Sequence, residues 1–258
     1  MKRKYVFLFI SVLLTMAACK KNTFNVTDPQ GVDGKALVKI GLFNMTAVST
    51  PLLIFANGQR ISGAVASPYP YPGGGFNTPS LNPTNNGDYF ALTPGDNKFE
   101  FYTTNFGTAN IISKFFETTQ NFEANKKYTV YTTDTATTTI AAIKAPDNAN
   151  APDSGFARIR FTNLIPNSVS VDFYKGMTLV KAAVNYKDFT DFIDVPSSTL
   201  DTFSIRIAGT PTGPALTSLA YLRMTVNTNQ RIYSFVSRGY LGAADVLRKP
   251  NVSAFVNQ

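Results

Sequence analysis

The feature that most constrains the fold is a recurring pattern of short apolar strands separated by turn residues. In ARIRF, residues 157–161, the apolar side chains lie on one face of an extended strand and both arginines on the other. FSIRI, residues 203–207, alternates in the same way. This pattern is typical of a sheet with one dry face. Together with 21 Phe, 12 Tyr and many Thr and Val, it predicts an all-β fold.

The pattern occurs twice along the chain. KALVKIGLFN at 35–44 is similar to FARIRFTNLI at 156–165, and TPLLIFANGQRI at 50–61 is similar to SVSVDFYKGMTL at 168–179. In the second pair, an Asn-Gly or Lys-Gly turn joins two strands, which is a β-hairpin signal. About seven strands per copy, with turns between them, predict two tandem immunoglobulin-like β-sandwiches.

Turn-rich segments set the expected boundaries. KAPDNANAPDSG, which ends the first copy, is rich in Pro, Asn and Asp and is typical of a linker. The polar segment that follows the N-terminal apolar run is typical of a flexible tether. We therefore predict a tether that ends at residue 34, a first sandwich at 35–147 with an inserted loop at 67–88, a linker at 148–155, and a second sandwich at 156–258.

The N-terminal segment MKRKYVFLFISVLLTMAAC has a positive start, ten apolar residues and small residues before a cysteine. The apolar run is too short to span a bilayer, which needs about 20 residues. Small residues before Cys19 resemble a bacterial lipobox, although Leu is commoner than Met at Met16. Because Cys19 is the sole cysteine, we predict that it carries the lipid and anchors the protein to the outer membrane of a cell envelope. The predicted bounds are a lipoprotein signal peptide at 1–18 and the lipidated cysteine with its tether at 19–34. The alternative is an ordinary signal peptide cut after Ala18.

Composition argues against several functions. The chain has no histidine, which removes the commonest general base and transition-metal ligand. A single cysteine excludes a cysteine-based zinc cage. The formal charge of +8 includes Lys2, Arg3 and Lys4 of the N-terminal segment, and the remaining basic residues are dispersed, whereas nucleic-acid binding usually needs a clustered basic stripe. We therefore predict no catalytic residues, no metal, no cofactor and no nucleic-acid partner.

Two short motifs have a functional and a structural interpretation. Asp188, Asp191 and Asp194 recur every third residue and could form a calcium or glycosidase carboxylate cluster. That spacing alternates faces in a strand, so we interpret them as exposed strand and turn residues of KDFTDFID. The buried side of this stretch is predicted to consist of Phe189, Phe192, Ile193 and Val195. Asp134-Thr135-Ala136 resembles an O-glycosylation sequon at Thr135, but Thr-rich segments also suit strands and turns.

The second copy contains RIRFTNLIPNSVSVDFYKG and then VNYKDFTDFIDVPSSTLDTFSIRIAGT. These stretches resemble the family called domain of unknown function 4397. The resemblance implies an exported sandwich module, often in tandem, in lipoproteins of Bacteroidetes-type envelopes, and it carries no established activity. The family's aromatic or apolar positions match Tyr186, Phe189 and Phe192, and Ser198 or Thr199 stands where the family often has Gly.

The first copy contains an insertion that the second lacks. Gly58 and Pro94 are 36 residues apart, whereas the matching Gly176 and Pro196 are 20 apart, so the first copy has 16 extra residues. The insertion contains SPYPYPGGGF, whose prolines favour an extended path. It is either a tolerated loop or an aromatic contact platform for a ligand or partner. The candidate contact residues are Tyr69, Tyr71 and Phe76.

These observations favour a non-enzymatic outer-membrane lipoprotein that acts as a binding or assembly module through its loops. The partners that we expect are the membrane, through the N-terminal lipid, and either another envelope protein or a polysaccharide. The alternatives are a glycan-binding accessory lipoprotein and an adhesin or fimbria-like subunit that pairs strands with its neighbours.

Overall fold

The protein is all-β in the part of the chain that the structure, a computed structural model, describes. That part comprises residues 32–43, 51–63, 89–105, 108, 110–134, 140–168, 170–197, 201–212, 214–216, 222–224, 229–244 and 249–257. Asp33–Gln258 form one compact unit.

The regular structure in this part of the chain consists of sixteen strands, eight in each half, against the expectation of about seven. The strands of the first half are β1 (Ala36–Leu42), β2 (Leu52–Ala56), β3 (Gln59–Arg60), β4 (Phe90–Leu92), β5 (Gly95–Thr104), β6 (Ile111–Phe122), β7 (Lys127–Asp134) and β8 (Ile140–Pro146). Those of the second half are β9 (Phe156–Asn163), β10 (Val171–Lys175), β11 (Thr178–Val184), β12 (Ile193–Pro196), β13 (Asp201–Ile207), β14 (Leu222–Met224), β15 (Ile232–Arg238) and β16 (Asn251–Val256).

Each half contains two four-stranded sheets, and the strand order is the same in both halves. The first half has the orders β4-β1-β7-β8 and β3-β2-β5-β6, and the second has β12-β9-β15-β16 and β11-β10-β13-β14. The central pairs β1–β7 and β9–β15 are parallel, and the other pairs are antiparallel. Each strand of the second half thus occupies the same position in its sheet as the strand numbered eight lower occupies in the first half.

The two sheets of each half pack face to face, and each pair encloses its own apolar core. The alternation in ARIRF is confirmed, because Ala157, Ile159 and Phe161 all lie in the core of the second sandwich. The core of the first sandwich is built in the same way from alternate residues of β1, together with side chains of β2, β5 and β7. The predicted β-sandwich architecture is therefore confirmed.

The predicted hairpins are present in both sandwiches. Asn57 and Gly58 join β2 to β3, and both have positive φ, 51° and 78°. Asn and Gly adopt this conformation more readily than other residues, which explains the Asn-Gly pair at this turn. Gly176 and Met177 join β10 to β11, with Gly176 at a φ of 58°.

The faces of β9 and β15 opposite the core are also buried, contrary to the expectation of one dry face per sheet. All seven residues of β15 are buried, and Arg160 on β9 is only 1% exposed. A third apolar cluster explains this burial, because it combines side chains of both halves. Its members are Phe43, Tyr131, Ile143 and Ala145 from the first half and Leu164, Val236 and Phe255 from the second.

The connecting segment at 148–155 has no regular strand but makes specific contacts. The side chain of Asn148 accepts a hydrogen bond from the backbone of Lys127, and the carbonyl of Asn150 accepts one from Arg158. The domain boundaries placed on either side of this segment stay a prediction.

Candidate functional site

A cluster of polar side chains, four of them buried and one half-buried, lies between the two sandwiches. We call it the inter-sandwich cluster and define it by Lys39, Tyr89, Tyr131, Asp147 and Arg160. Strand alternation places its two basic residues on the faces of β1 and β9 that point away from each core. Packing of one sandwich on the other then takes both out of water, at 2% and 1% exposure. These two residues have the same position in the two sequence copies.

Arg160 is the centre of the cluster. Its Nη2 donates to the carboxylate of Asp147, and also to the Tyr131 hydroxyl and the Ser234 Oγ, both at 3.1 Å. Its Nη1 donates to the carbonyl of Pro146 at 2.5 Å. The guanidinium therefore binds groups from both halves of the chain.

The aromatic ring of Phe192 covers this guanidinium. The ring centroid of Phe192 lies 4.9 Å from the Arg160 Cζ, and that of Phe189 lies 5.9 Å away. At these distances the ring faces attract the cation.

Asp147 is surrounded by donors. Besides Arg160, its carboxylate accepts a hydrogen bond from the Tyr89 hydroxyl at 2.8 Å and one from the Thr129 Oγ1 at 2.5 Å. A buried carboxylate is tolerated only with such partners, since desolvation strongly disfavours an isolated charge. These donors occupy the carboxylate, so it has little capacity to bind a ligand.

The pKa directions in this cluster follow from burial and from the ion pair. Burial raises the pKa of the Tyr89 phenol, and the charge of Asp147 raises it further. Burial likewise raises the pKa of Tyr131. For Arg160, burial works to lower the pKa, but Tyr131 and Asp147 outweigh it and hold the pKa above its ordinary value. At neutral pH both phenols are therefore neutral and the guanidinium is charged.

Lys39 extends the cluster toward the C-terminus. Its Nζ donates to the carbonyl of Val256 at 3.2 Å and lies 4.4 Å and 4.9 Å from the ring centroids of Tyr89 and Phe255. These contacts again connect the first half to the second. We conclude that this cluster joins the two halves of the chain.

A surface pocket of about 360 Å³ lies at the end of β11 in the second sandwich. We call it the β11 pocket. Lys181 lies on β11, and Lys187 and Asp188 lie in the turn that follows. Phe189 is 37% exposed, which contradicts its prediction as a buried residue of the KDFTDFID stretch. The full lining is Lys181, Ala183, Val184, Lys187, Asp188, Phe189 and Thr190.

Irregular backbone shapes this pocket. The pairing of β10 with β11 shifts register on both sides of Phe173, and Ala183 and Lys187 have positive φ of 53° and 72°. The buried carboxylate of Asp172 holds the irregular strand, since it accepts from the backbone nitrogens of Ala183 and Gly209 at 2.8 and 3.0 Å. Bulges and positive φ outside Gly are uncommon, and both are concentrated near binding sites.

The residues predicted as functional from the sequence lie outside the described part of the chain. These are Cys19, the insertion at 67–88 with its three aromatic residues, and Thr135 of the possible sequon. Their roles stay predictions. The three aromatic residues are Tyr69, Tyr71 and Phe76.

The three regularly spaced aspartates have separate surroundings. Asp194 on β12 binds Arg158 through two hydrogen bonds of 2.6 and 2.8 Å, and Asp188 accepts from the side chain of Asn185. Within the described ranges, no three histidine, cysteine, aspartate or glutamate side chains converge in a way that could hold a metal ion. No helix in those ranges has the length and apolar character that a membrane crossing requires.

Sequence reasoning missed both the inter-sandwich cluster and the β11 pocket. A signal for the cluster was present, because the aligned copies place Lys39 and Arg160 at one position, flanked by core residues. Asp147, their acidic neighbour, was assigned to the end of the first copy. The pocket had no such signal, since it depends on how β10 and β11 pair.

The fold and these sites together define an all-β protein in which two β-sandwiches are joined by a buried ionic cluster. The chain belongs to the family described as domain of unknown function (DUF4397), whose family model matches residues 38–174. The match runs from β1 into β10, so it includes most of RIRFTNLIPNSVSVDFYKG and ends before the second stretch that resembles the family. A comparison with curated proteins gives no match.

Proposed function

We propose that the protein is a lipid-anchored, non-enzymatic binding or assembly module of the bacterial outer membrane, built from tandem immunoglobulin-like copies of its family's sandwich. The same strand order in both halves supports the tandem arrangement. The lipobox-like segment before Cys19 supports the anchor.

One observation favours binding or assembly over catalysis. Perturbed pKa values often identify reaction centres. In this protein three groups with perturbed pKa values, Tyr89, Tyr131 and Arg160, bind Asp147 or one another between the sandwiches. These contacts connect the two halves, and the carboxylate of Asp147 is already occupied by donors from the protein. The resulting rigid body is suited to presenting loops to a partner.

The anchor is tested by Cys19→Ser in the full chain. We expect the variant to lose incorporation of labelled fatty acid and to leave the membrane fraction, because the lipid supplies the membrane affinity. Unchanged fractionation of a variant that no longer carries fatty acid would disprove anchoring through Cys19.

The binding function is tested by native purification from membranes, followed by mass spectrometry. Replacing Tyr69, Tyr71 and Phe76 with Ala should abolish recovery of a specific envelope partner or polysaccharide without lowering the melting temperature. Phe156→Ala is the matched control, since that ring is also exposed, at 40%, but lies on β9. A large drop in stability of the triple variant would instead identify packing residues.

An adhesin or fimbria-like subunit is the second candidate, and β6 favours it. This twelve-residue strand pairs with β5 alone among the described strands, and Ile111 and Ile112 are 51% and 53% exposed. Such an edge can accept another strand. However, the salt bridges of Lys98 and Lys114 with Glu117 place charges beside this edge, which is a common protection against pairing. Concentration-dependent polymers after proteolytic trimming would support this candidate.

A further inference from the structure

The β11 pocket has the chemical character of a site for an acidic sugar. We infer that it binds a hexuronate, the carboxylate-bearing ring of an acidic polysaccharide. A pocket of about 360 Å³ is at the lower end of the range for small-ligand sites, which is about 300–1,000 Å³. It is therefore of a size to hold one sugar ring with its neighbours extending into solvent.

The two lysines supply the positive charge. Neither Lys181 nor Lys187 forms an ion pair with a carboxylate in the described part of the chain, whereas Arg158 and Arg160 both do. The Lys187 Nζ lies 5.2 Å from the ring centroid of Tyr186, a contact that leaves its hydrogen-bonding capacity for a ligand. Two lysines and one aspartate line the pocket, so its lining has a net charge of 2 − 1 = +1, which favours a ligand with a negative charge.

Phe189 supplies the apolar surface. Its backbone is fixed by a bridge to Thr162, and the Arg160 guanidinium lies 5.9 Å from its ring centroid on the protein side. Phe189 is 37% exposed and lines the pocket, so it offers an accessible aromatic surface there. Such a surface suits the C–H face of a pyranose ring, while a bare phosphate would leave it unused.

Asp188 explains why a hydroxylated ligand fits better than a simple carboxylate. One of its oxygens accepts a hydrogen bond from Asn185 at 3.1 Å, and a carboxylate has further lone pairs for donors. Sugar hydroxyls are such donors. The Thr190 hydroxyl is already engaged by the backbone of Phe161 and Asp191. The polar groups left for a ligand are thus two cations and one acceptor.

This inference deepens the proposed binding function by naming a ligand class, and it rests on that function. It does not depend on the anchor or on the insertion at 67–88. The test is isothermal titration calorimetry of the full chain, purified from membranes in detergent, with oligogalacturonate. Neutral malto-oligosaccharide and inorganic phosphate are the comparison ligands.

We expect oligogalacturonate to bind. Neutral malto-oligosaccharide lacks the negative charge and inorganic phosphate lacks the sugar ring, so each of them should bind at least about tenfold more weakly. Phe189→Ala should weaken binding about threefold to tenfold. The double variant K181Q/K187Q should weaken it at least about threefold and reduce its salt dependence. Phe156→Ala and Lys126→Gln are the controls, as an exposed ring and an exposed lysine elsewhere, and should bind as the unaltered protein does.

Thermal melts establish that each variant is folded, and K181Q alone is used if the double variant is unstable. Equal affinity for the neutral oligosaccharide would overturn the inference, as would equal affinity for phosphate or unaltered binding by the pocket variants. No binding of oligogalacturonate would also overturn it. If a specific envelope partner still copurifies in that case, the proposed binding function stands and the ligand class alone fails.

Discussion

Replacing Asp147 with Ala should strongly destabilise the protein, because it leaves the Arg160 guanidinium buried without a counter-charge. The side chains of Asp147 and Arg160 are 0% and 1% exposed. A guanidinium cannot escape the penalty by losing its proton at neutral pH. Breaking a buried ion pair from one side costs about 3–5 kcal/mol of unfolding free energy. Two hydroxyl donors, of Tyr89 and Thr129, also lose their acceptor.

The exposed pair of Arg158 and Asp194 is the matched control. It has the same chemistry and two hydrogen bonds, but its side chains are 26% and 41% exposed. Solvent screens such a pair, so Asp194→Ala should cost only about 0.2–1 kcal/mol. Each substitution removes the aspartate partner of an arginine on β9, and the two ion pairs differ mainly in burial.

The assay is urea unfolding of the full chain, followed by far-UV circular dichroism and tyrosine fluorescence, since the chain has no tryptophan. A double-mutant cycle with Arg160→Met isolates the pair. We expect D147A/R160M to be more stable than D147A, because the double variant has no unpaired buried charge. A separation into two transitions in D147A would indicate that the halves unfold independently once the cluster is broken.

Two results would refute this reasoning. One is a loss of unfolding free energy below about 1 kcal/mol in D147A, within the range of the exposed control, since breaking a buried pair should cost about 3–5 kcal/mol. The other is a double variant that is no more stable than D147A. Either would mean that water reaches Arg160 or that other acceptors replace the carboxylate.

Three further predictions follow from individual residues. Because burial raises the pKa of Tyr89 above its ordinary value of 10.0, its contribution to stability is fully present below pH 10 and decreases as the pH rises further. Above pH 10, Tyr89→Phe should reduce the loss of unfolding free energy by up to about 1.4 kcal/mol per pH unit, measured by urea unfolding across that range. Gly41→Ala should lower the free energy of unfolding by about 1–3 kcal/mol, because the new Cβ would lie 2.6 Å from the Cε2 of Phe43, whose ring is held between the sandwiches. An unchanged melting temperature would show that this ring can move. Asn57→Ala should lower the melting temperature more than Asn57→Gly. Both variants lose the side-chain hydrogen bonds to Asn97 and Lys98, but only Ala also disfavours a φ of 51°. Equal losses in the two variants would mean that the side-chain hydrogen bonds account for the whole effect.

Much of the fold could be predicted from the sequence, because hairpins and alternation are local properties of the chain. The Asn57–Gly58 turn and the core positions Ala157, Ile159 and Phe161 are confirmed. The exposure of Phe189 could not be predicted in the same way. Its neighbours in KDFTDFID suggest a buried strand residue, but only the bridge at Thr162 and the bulge of β10 with β11 place its ring at a pocket.

The sequence by itself determined that the chain is all-β, where its hairpins turn and which side chains share a strand face. It could not determine what covers the second face of a sheet, because alternation relates neighbours along a strand and says nothing of distant segments. Only the tertiary structure decided that Lys39 and Arg160 are buried, since one sandwich packs on the other at that position. Arg160, whose place in the sequence pattern is typical of a solvent-facing residue, thereby becomes the centre of the inter-sandwich cluster, because Asp147 compensates its charge and Tyr131 accepts one of its hydrogen bonds.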